Sequence, residues 1–390
     1  MMADLAGWLS LLLAAAAGAG CLYQVAAALL VRRFAGRTPP VPVARPPVSV
    51  LKPLCGAEPG MAESLTSCLR QDYPQFQLVF GVADPADPAL AVVAGLPSSE
   101  EAEIATVVDA TPHGRNLKVG NLLNMWPAAS HDIIVIADSD IRVGPHYLDD
   151  VVAPFADPAV GVVTCLYVGE AAAGVWSRLG ALGINHGFLP SAVLARAIGR
   201  KDGCFGATMA VRRPVLERAG GLAALADVLA DDWVLGDLVR KSGLGIALAA
   251  RPVGIMVDEP GFKALFTHEV RWGRTIAAVD RPSYLASVIT QPVALAALAV
   301  LLGPALVGTG SAAGVLAVFG IACLCRLWAV RAEEIALGLP RAGLGLLAVR
   351  EILSFVVYVV ASCGRTVVWR GRRFVVRHDG TLDPVEGTAP

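Results

Sequence analysis

Long apolar runs near both ends of the chain restrict its fold more than any other feature of the sequence. Residues 8–31 are almost wholly apolar and are long enough to cross about 30 Å of hydrocarbon. Three further apolar runs, at residues 285–307, 312–330 and 344–363, follow a central region of soluble-domain character. Only 17% of the residues are charged, whereas an ordinary soluble domain is about one quarter charged. Part of the chain is therefore expected to lie in lipid.

The basic residues around the first run favour a retained membrane anchor over a cleaved signal peptide. No basic residue precedes the run, whereas Arg32, Arg33 and Arg37 follow it. This order predicts that the N-terminus lies outside and that the next domain is cytoplasmic. Three full crossings after that domain would place the final arginines outside, so we expect one of the three later runs not to cross. The last run carries Arg350 and Glu351, so it could lie in the interface or re-enter. The final arginines are Arg365, Arg370, Arg372, Arg373 and Arg377.

The central region alternates β-type runs with helix-like stretches, which predicts a mostly parallel sheet with helices on both faces. The β-type runs are at 48–51, 78–82, 104–108 and 133–136, and the helix-like stretches are at 61–70, 89–96 and 119–126. The predicted domain organisation is an N-terminal transmembrane anchor (1–33), a proline-rich linker (34–47), a cytoplasmic domain (48–282), a membrane region (283–365) and a basic tail (366–390).

Net charge and cysteine content exclude some classes of function. The formal net charge is -1, so no nucleic-acid partner is predicted and any anionic ligand needs a local site. The eight cysteines form no C-x-x-C pair. We interpret them as small buried apolar residues in a reducing compartment, rather than as a disulfide framework or a zinc site. The sequence carries no indication of an oligomeric state.

A D-S-D motif directly follows the strand predicted at 133–136. In an open α/β sheet, ligands collect at the carboxyl ends of the strands. Asp138 and Asp140 could there face one Mg²⁺ or Mn²⁺ ion, which would bridge the diphosphate of a nucleotide sugar. A solvated loop is the alternative, because a D-x-D motif alone is not specific.

Two other polar residues suit a nucleotide ligand. Asp84 ends the strand predicted at 78–82 and could accept hydrogen bonds from a base or ribose, although Asp-Pro sequences also favour turns. Lys118 stands at a helix start, where a lysine opposes the helix dipole unless an anion is also bound. A diphosphate contact and a solvated side chain are both compatible with that position.

Two later motifs complete the set. The pair Asp231-Asp232 precedes a helix-like run, so it either caps the helix or supplies Asp232 as the base that takes a proton from an attacking hydroxyl. The motif H-E-V-R-W at 268–272 places Arg271 and Trp272 shortly before an apolar run. These side chains could contact phosphate and sugar, or serve as an interfacial anchor.

In this order, the motifs resemble the ceramide glucosyltransferase family and its bacterial relatives, the hopanoid-biosynthesis-associated glycosyltransferases. The resemblance rests on V-S-V-L-K-P-L-C-G at 48–56, A-D-S-D-I-R at 137–142 and V-R-W at 270–272. It extends from about residue 48 through the C-terminal membrane region. It implies an α/β fold of the glycosyltransferase A (nucleotide-diphospho-sugar transferase) type with flanking transmembrane helices. It also implies an inverting mechanism and a UDP-sugar donor.

The resemblance further implies roles for single residues. Asp84 resembles the aspartate that binds the nucleotide, Asp138 the one at the metal–diphosphate site, and Asp232 the base. His268 stands where the family has Gln or Arg. Asp140 stands where the ceramide enzymes have glycine, and this second carboxylate implies greater dependence on metal. The expected donor-binding residues are Lys52, Asp84, Lys118, Asp138, Asp140, His268, Arg271 and Trp272, and His186 is expected near the acceptor.

The predicted reaction is the transfer of one hexose or N-acetylhexosamine to the hydroxyl of a membrane lipid. The relatives suggest glucose for ceramide and N-acetylglucosamine for a hopanoid polyol, and residues 273–276 favour the hopanoid branch. Residues 180–197 are apolar and either lie in the membrane interface beside the site or form a core helix. A processive polysaccharide synthase, which needs more spans, and a non-catalytic membrane scaffold, which the intact aspartates disfavour, are the alternatives.

Overall fold

The computed structural model describes residues 2–99, 101–303, 311–369 and 371–385, and the chain divides into two units. The first, called here the sheet unit, comprises Thr38–Ala181, Gly199–Phe262 and Val368–Pro390. The second, called the helical unit, comprises Met1–Arg37, Leu182–Ile198 and Lys263–Val367. The chain therefore leaves the sheet unit for the helical unit and returns to it near its C-terminal end.

The sheet unit is built on ten strands that precede the last membrane helices. Their bounds are β1 Val48–Pro53, β2 Phe76–Val82, β3 Ala102–Val108, β4 Ile133–Ala137, β5 Ile141–Arg142, β6 Val160–Thr164, β7 Tyr167–Ala171, β8 Thr208–Arg212, β9 Gly245–Leu248 and β10 Val253–Val257. A seven-stranded main sheet has the order β3-β2-β1-β4-β8-β6-β9, and β5, β10 and β7 form a smaller sheet. The strands from β1 to β4 run parallel, whereas β8 is antiparallel to both of its neighbours. The main sheet is thus mostly parallel, as predicted, with β8 reversed.

Helices cover both faces of the main sheet. The α-helices of the described residues are α1 Met2–Ala35, α2 Met61–Leu69, α3 Ala89–Ala94, α4 Leu117–Met125, α5 Tyr147–Val152, α6 Gly174–Gly183, α7 Leu189–Ala197, α8 Arg213–Arg218, α9 Asp231–Lys241, α10 Phe262–Val279, α11 Arg281–Ala286, α12 Pro292–Leu302, α13 Ser311–Leu337 and α14 Leu344–Ser362. Leu65 of α2 belongs to the core on one face, and Leu122 of α4 to the core on the other. Every residue of β2 and β4 is buried, because these apolar strands face a hydrophobic layer on each side.

Among the described residues of the helical unit, three helices are long and apolar enough to cross a membrane, namely Leu5–Ala35, Ala312–Leu337 and Leu344–Ser362. The run predicted at 285–307 is not one straight helix, and its last residues, 304–307, lie outside the described residues. Its segments Arg281–Thr290 and Pro292–Leu302 meet at a 72° bend, as in a broken span or a re-entrant loop. Pro292 explains the break, because proline lacks the N–H that a continuous helix needs.

Two ion pairs join α10, α13 and α14 within the helical unit. Arg350 of α14 donates two hydrogen bonds to the Glu269 carboxylate on α10, at 2.6 and 2.8 Å. Arg326 of α13 donates to Glu351 of α14 at 2.7 Å. Charged groups in an apolar region carry a high desolvation cost unless they are paired. The pairing therefore explains how α14 accommodates two charges within a helix long enough to span.

The C-terminal segment contains strands that the sequence did not indicate. The predicted basic tail forms β11 Thr366–Trp369, β12 Arg372–Val376 and β13 Leu382–Pro384, which make a three-stranded sheet. In β12, Phe374 and Val376 are buried and Val375 between them is half-buried, which is the alternation of a strand with one covered face, while Arg372 and Arg373 at its start are exposed. Arg370, one of the arginines used to predict orientation, lies outside the described residues.

The prediction that all cysteines are buried is wrong for some of them. Among the eight free thiols, Cys21, Cys68, Cys165 and Cys204 are buried, whereas Cys55, Cys323 and Cys363 are exposed. Cys323 lies on a candidate span, where an apolar side chain does not need a protein core around it.

The pair of Arg350 and Glu269 gives a test of packing in the helical unit. Arg350→Leu leaves the Glu269 carboxylate buried without its partner, so we expect a loss of about 3–5 kcal/mol in the free energy of unfolding. The double variant Arg350→Leu, Glu269→Leu removes both charges and is expected to be more stable than the single variant. Denaturant unfolding of the detergent-solubilised protein measures both. A double variant as unstable as the single one contradicts this account of the pair.

Candidate active site

The first candidate residues stand where two neighbouring parallel strands end. β4 ends at Ala137 and continues into Asp138-Ser139-Asp140, while Lys52 lies near the end of β1, whose Leu51 pairs with Ile136. The Lys52 side chain is fully buried, and its Nζ donates to the backbone oxygen of Asp138 at 2.8 Å. Lys52 therefore holds the backbone of the D-S-D motif by a hydrogen bond to Asp138.

Lys118 joins carboxylates from two parts of the sheet unit. It occupies the first turn of α4, where the Asn116 side chain caps the helix by accepting from the Val119 N–H. Its Nζ lies 2.6 Å from Asp138 Oδ1 and 3.7 Å from Asp231 Oδ2. Burial alone would lower the pKa of Lys118, but the two carboxylates outweigh it and raise that pKa. Lys118 is thus an ion-paired residue of the site, and the interpretation as a solvated lysine is wrong.

Asp232 lies in the first turn of α9, beside Asp231, and its carboxylate is held by backbone groups. Its Oδ2 accepts a hydrogen bond from the Gly206 N–H at 2.8 Å, and its Oδ1 accepts one from the N–H of the next residue, Trp233, at 2.7 Å. A Cβ at position 206 would lie 3.1 Å from Asp232 Oδ2, so a glycine permits this close approach. Burial and the adjacent Asp231 raise the pKa of Asp232 to about 6, against the opposing effect of the backbone donors.

Asp140 has an unsatisfied carboxylate oxygen. Within the described part of the chain, its Oδ1 is buried and has no hydrogen-bond partner. Burial, with the nearby charges of Asp138 and Glu58, raises the pKa of Asp140 to about 7, although Lys52 opposes the shift. A buried, unpartnered carboxylate oxygen beside a second carboxylate suits a hard divalent cation. Among the described residues no group of three or more His, Cys, Asp or Glu could hold a metal. A cation at Asp140 would therefore also need oxygen atoms from a bound substrate.

Tyr167 of β7 shows that these aspartates share one region. Burial raises the pKa of its phenol, and the charges of Asp232, Asp138 and Asp140 add to the shift. The sequence motifs include Asp231 only as one half of the Asp231-Asp232 pair, with no site role of its own. Neither Tyr167 nor Gly206 lies in a motif that was recognised.

Asp84 occupies the turn that its sequence also suggested. It is exposed, follows β2 and accepts the Ala86 N–H at 2.8 Å, so it stabilises its own loop. β2 and β1 are parallel neighbours, so this loop leaves the same edge of the sheet as the D-S-D motif. A nucleotide contact of Asp84 stays a prediction.

The remaining predicted residues belong to the helical unit. His268, Arg271 and Trp272 lie on α10, where the rings of His268 and Trp272 are 4.2 Å apart. His186 lies in a π-helical turn, Ile184–Phe188, and its Nδ1 is 2.7 Å from Glu333 Oε2 of α13. Both side chains of that pair are almost completely buried. The donor and acceptor roles of these residues stay predictions.

Comparison with known proteins agrees with this fold and these motifs. A family model described as Glycosyl transferase family 21 matches residues 11–382. The chain belongs to glycosyl transferase family 21. The resemblance to the ceramide glucosyltransferase family found in the sequence is therefore confirmed.

Individual relatives of this family 21 chain cover it less fully. Ceramide glucosyltransferase 1 of Caenorhabditis elegans is 24% identical over 53% of this chain and 45% of its own length. Ceramide glucosyltransferase of Komagataella phaffii is 32% identical over 29% of this chain and 24% of its own length. The chain thus spans less than half the length of these curated relatives.

One solved structure shares the fold over almost the whole chain. The mannosyltransferase PcManGT of Pyrobaculum calidifontis, in complex with GDP-Man and Mn²⁺, matches with a TM-score of 0.50 and 20% identity, over 92% of this chain and 97% of that chain. With the mixed α/β sheet and the apolar flanking helices, this match confirms the predicted glycosyltransferase A fold. At this identity the likeness shows the fold alone.

The unpartnered oxygen of Asp140 leads to a metal-binding test. If Asp140 ligates a cation, Asp140→Asn removes one anionic ligand, and we expect Mn²⁺ to bind the purified protein at least about tenfold more weakly. Asp132→Asn is the matched control, because Asp132 is an exposed carboxylate directly before the start of the same strand. Titration followed by electron paramagnetic resonance of free Mn²⁺ measures both affinities. Equal Mn²⁺ affinities for the two variants would refute the assignment of Asp140.

Proposed function

We propose that this family 21 chain transfers a single hexose or N-acetylhexosamine from a UDP-sugar to the hydroxyl of a membrane lipid, with inversion at the anomeric carbon. One observation carries the proposal. Lys118 holds Asp138, at the end of β4, and Asp231, at the start of α9, within ion-pairing distance of one ammonium group. This arrangement supports a diphosphate site at Asp138 with the base at the neighbouring start of α9.

Each residue of the cluster has a chemical task in this proposal. Asp138 and Asp140 would hold the divalent cation, which when bound neutralises charge on the departing diphosphate. Lys118 would turn its ammonium group toward the same phosphates. Asp232 would accept the proton of the attacking hydroxyl, and its two backbone hydrogen bonds orient the carboxylate for that step. Attack from the face opposite the diphosphate inverts the sugar.

The substrates are proposed from the family and its relatives. Two curated relatives are named ceramide glucosyltransferases, which supports a hexose donor and a sphingolipid acceptor. PcManGT was solved with a nucleotide sugar and Mn²⁺, which supports a donor of that class and a cation. A hopanoid polyol is the second acceptor that we propose. The donor contacts of Lys52, Asp84, His268, Arg271 and Trp272 and the acceptor-side position of His186 rest on the family's motifs alone.

The geometry of Lys52 limits its part in donor binding. Its Nζ donates to the Asp138 backbone, and its side chain is fully buried. We therefore propose that Lys52 acts on the donor through the position of the D-S-D motif.

The chain connectivity supports a membrane topology. Residues on both sides of the stretch Lys263–Val367 belong to the sheet unit, so this stretch has to cross the membrane an even number of times. We propose that α13 and α14 cross and that the bent pair α11–α12 re-enters on its own side. The sheet unit would then be cytoplasmic, and so would the arginines Arg365, Arg372, Arg373 and Arg377, as the positive-inside rule requires. We propose that the membrane is a bacterial inner membrane.

A reporter fused after residue 385 tests this topology. Alkaline phosphatase, which is active only outside the cytoplasm, is expected to be inactive at that position, and a green fluorescent protein fused there is expected to fluoresce. A phosphatase-positive fusion would mean an odd number of crossings. The control is the same pair of reporters fused after the loop 338–343, which should give the opposite result.

The assignment of Asp232 as base predicts a loss of rate and a pH dependence. Asp232→Asn cannot accept a proton, so we expect the transfer rate to fall by about 10²–10⁴-fold while UDP still binds. In the unchanged chain, the pKa near 6 predicts that kcat falls as the pH drops through about 6, because the protonated carboxyl is no longer a base. Initial rates between pH 5 and 8 with saturating donor measure the profile. Normal turnover by Asp232→Asn would rule out this residue as the base.

The sugar and the acceptor can be identified in one assay. Membranes that contain the protein are incubated separately with labelled UDP-glucose and UDP-N-acetylglucosamine, with added ceramide or hopanoid polyol. We expect a lipid that carries one added sugar, identified by its mass. Membranes with Asp232→Asn are the matched control. A labelled polymer in place of a monoglycosylated lipid would support a processive synthase instead.

A further inference from the structure

The C-terminal hairpin, defined as residues 371–385 with β12 and β13, pairs with the segment that leads into α9. This segment, residues 226–230, directly precedes Asp231. The Leu229 N–H donates to the Gly380 backbone oxygen at 2.9 Å, and the Leu382 N–H donates to the Asp227 backbone oxygen at 3.0 Å. Val228 and Thr381 form an isolated antiparallel bridge between these bonds. The hairpin thus holds the segment 226–230 as a neighbouring strand would.

The same segment is tied to the start of α4, which carries Lys118. The Asn116 N–H donates to the Ala226 backbone oxygen at 2.8 Å, and Asn116 Nδ2 donates to the Val228 backbone oxygen at 2.7 Å. Asn116 is buried, and its side-chain oxygen also caps α4. One side chain therefore connects the helix of Lys118 to the segment before Asp231 and Asp232.

Arg115 forms hydrogen bonds with both the segment 226–230 and the C-terminal hairpin. Its backbone N–H donates to Asp227 Oδ1 at 3.0 Å, and its Nη1 donates to the Leu382 backbone oxygen at 2.6 Å. The loop before α4, the segment before α9 and the C-terminal hairpin consequently meet in one hydrogen-bonded junction. All three belong to the sheet unit.

We propose that the C-terminal hairpin is a positioning element of the candidate active site. It fixes the segment 226–230, and through it the placement of Asp232 relative to Lys118, without itself touching the reactants. This proposal rests on the function proposed above. A shift of about 1 Å in a catalytic group can lower a rate by about 10²-fold, so a support of this kind has a measurable effect on kcat.

Two glycines of the C-terminal hairpin provide a matched pair of variants. Gly380 and Gly371 both have left-handed backbones, with φ of 83° and 76°. A Cβ at Gly380 would lie 3.1 Å from Val228 Cγ1 and 3.4 Å from Val234 Cγ2, whereas a Cβ at Gly371 meets no described atom within 4 Å. Valine at either position introduces the same backbone strain, but only Gly380→Val pushes on the segment before Asp231.

The experiment compares Gly380→Val with Gly371→Val in the full chain, in membranes supplied with UDP-sugar and lipid acceptor. Rates are expressed per UDP-binding site, titrated with labelled UDP, so that a loss of folded protein does not count as a loss of rate. We expect Gly380→Val to lower kcat by about tenfold or more relative to Gly371→Val, with the donor KM changed less than about twofold. A structural effect alone would change the number of UDP sites and leave the rate per site unaltered.

Arg115 gives a second test that does not depend on Gly380→Val folding. The Arg115 side chain is 46% exposed, so its truncation leaves little buried space. Arg115→Ala removes the bond to Leu382 and is expected to lower kcat per site by about fivefold or more, whereas Arg115→Lys keeps a donor and is expected to restore part of it.

The outcomes separate this proposal from the proposed function. If Asp232→Asn is as active as the unchanged chain, the assignment of the base fails whatever the hairpin variants do. If Asp232→Asn is inactive while Gly380→Val and Arg115→Ala match Gly371→Val in kcat per site, the positioning role of the hairpin is overturned.

Discussion

Lys118 lies between Asp138 and Asp231, and this single ammonium group offsets the repulsion between carboxylates that come from different parts of the chain. Two unit charges about 4 Å apart interact with about 4 kcal/mol at the effective dielectric constant of about 20 that suits a protein surface. The cost of gathering several aspartates at one edge of the sheet is therefore comparable to a large part of the stability of a domain. Without a cation at this position, α9 could not present its acidic first turn so close to the end of β4.

The aspartates of the candidate site differ in how fully their negative charge is paired, and this difference suits the proposed chemistry. Asp138 has Lys118 on its carboxylate and Lys52 on its backbone. Asp140 keeps a buried oxygen without a hydrogen-bond donor among the described residues, and burial raises the pKa of Asp232 although two backbone N–H groups hold it. These features suit the proposed roles of Asp140 as a cation ligand and of Asp232 as the base.

The two units handle charge in different ways. In the sheet unit, the buried carboxylates of Asp149 and Asp150 pair with arginines, whereas Asp140 at the candidate site keeps a buried oxygen that a ligand could complete. In the helical unit, buried charged groups pair with each other across helices, as Arg350 does with Glu269 and Arg326 with Glu351. Because the described segment after α14 returns to the sheet unit, the membrane region also becomes a connection between two parts of one domain. The C-terminal hairpin is the structural result of that return.

Local patterns in the sequence determined the strands and helices of the first part of the sheet unit. The apolar runs at 48–51, 78–82, 104–108 and 133–136 each lie within a strand, and the helix-like stretches match α2, α3 and α4 to within a few residues. Period-2 and period-3.6 patterns depend on neighbours along the chain, so they can be read without the fold. The position of Asp138 and Asp140 at a strand end followed from the same local information.

Only the tertiary structure decided which side chains meet. Lys52 supports the Asp138 backbone, His186 pairs with Glu333, and Leu382 accepts a bond from Arg115, across 86, 147 and 267 residues. No periodicity encodes such contacts, because they depend on strand order and on where each helix packs. The same reason explains the missed strands after residue 365: short strands become stable only when neighbouring segments pair with them, as β12 does with β13 and Thr381 does with Val228.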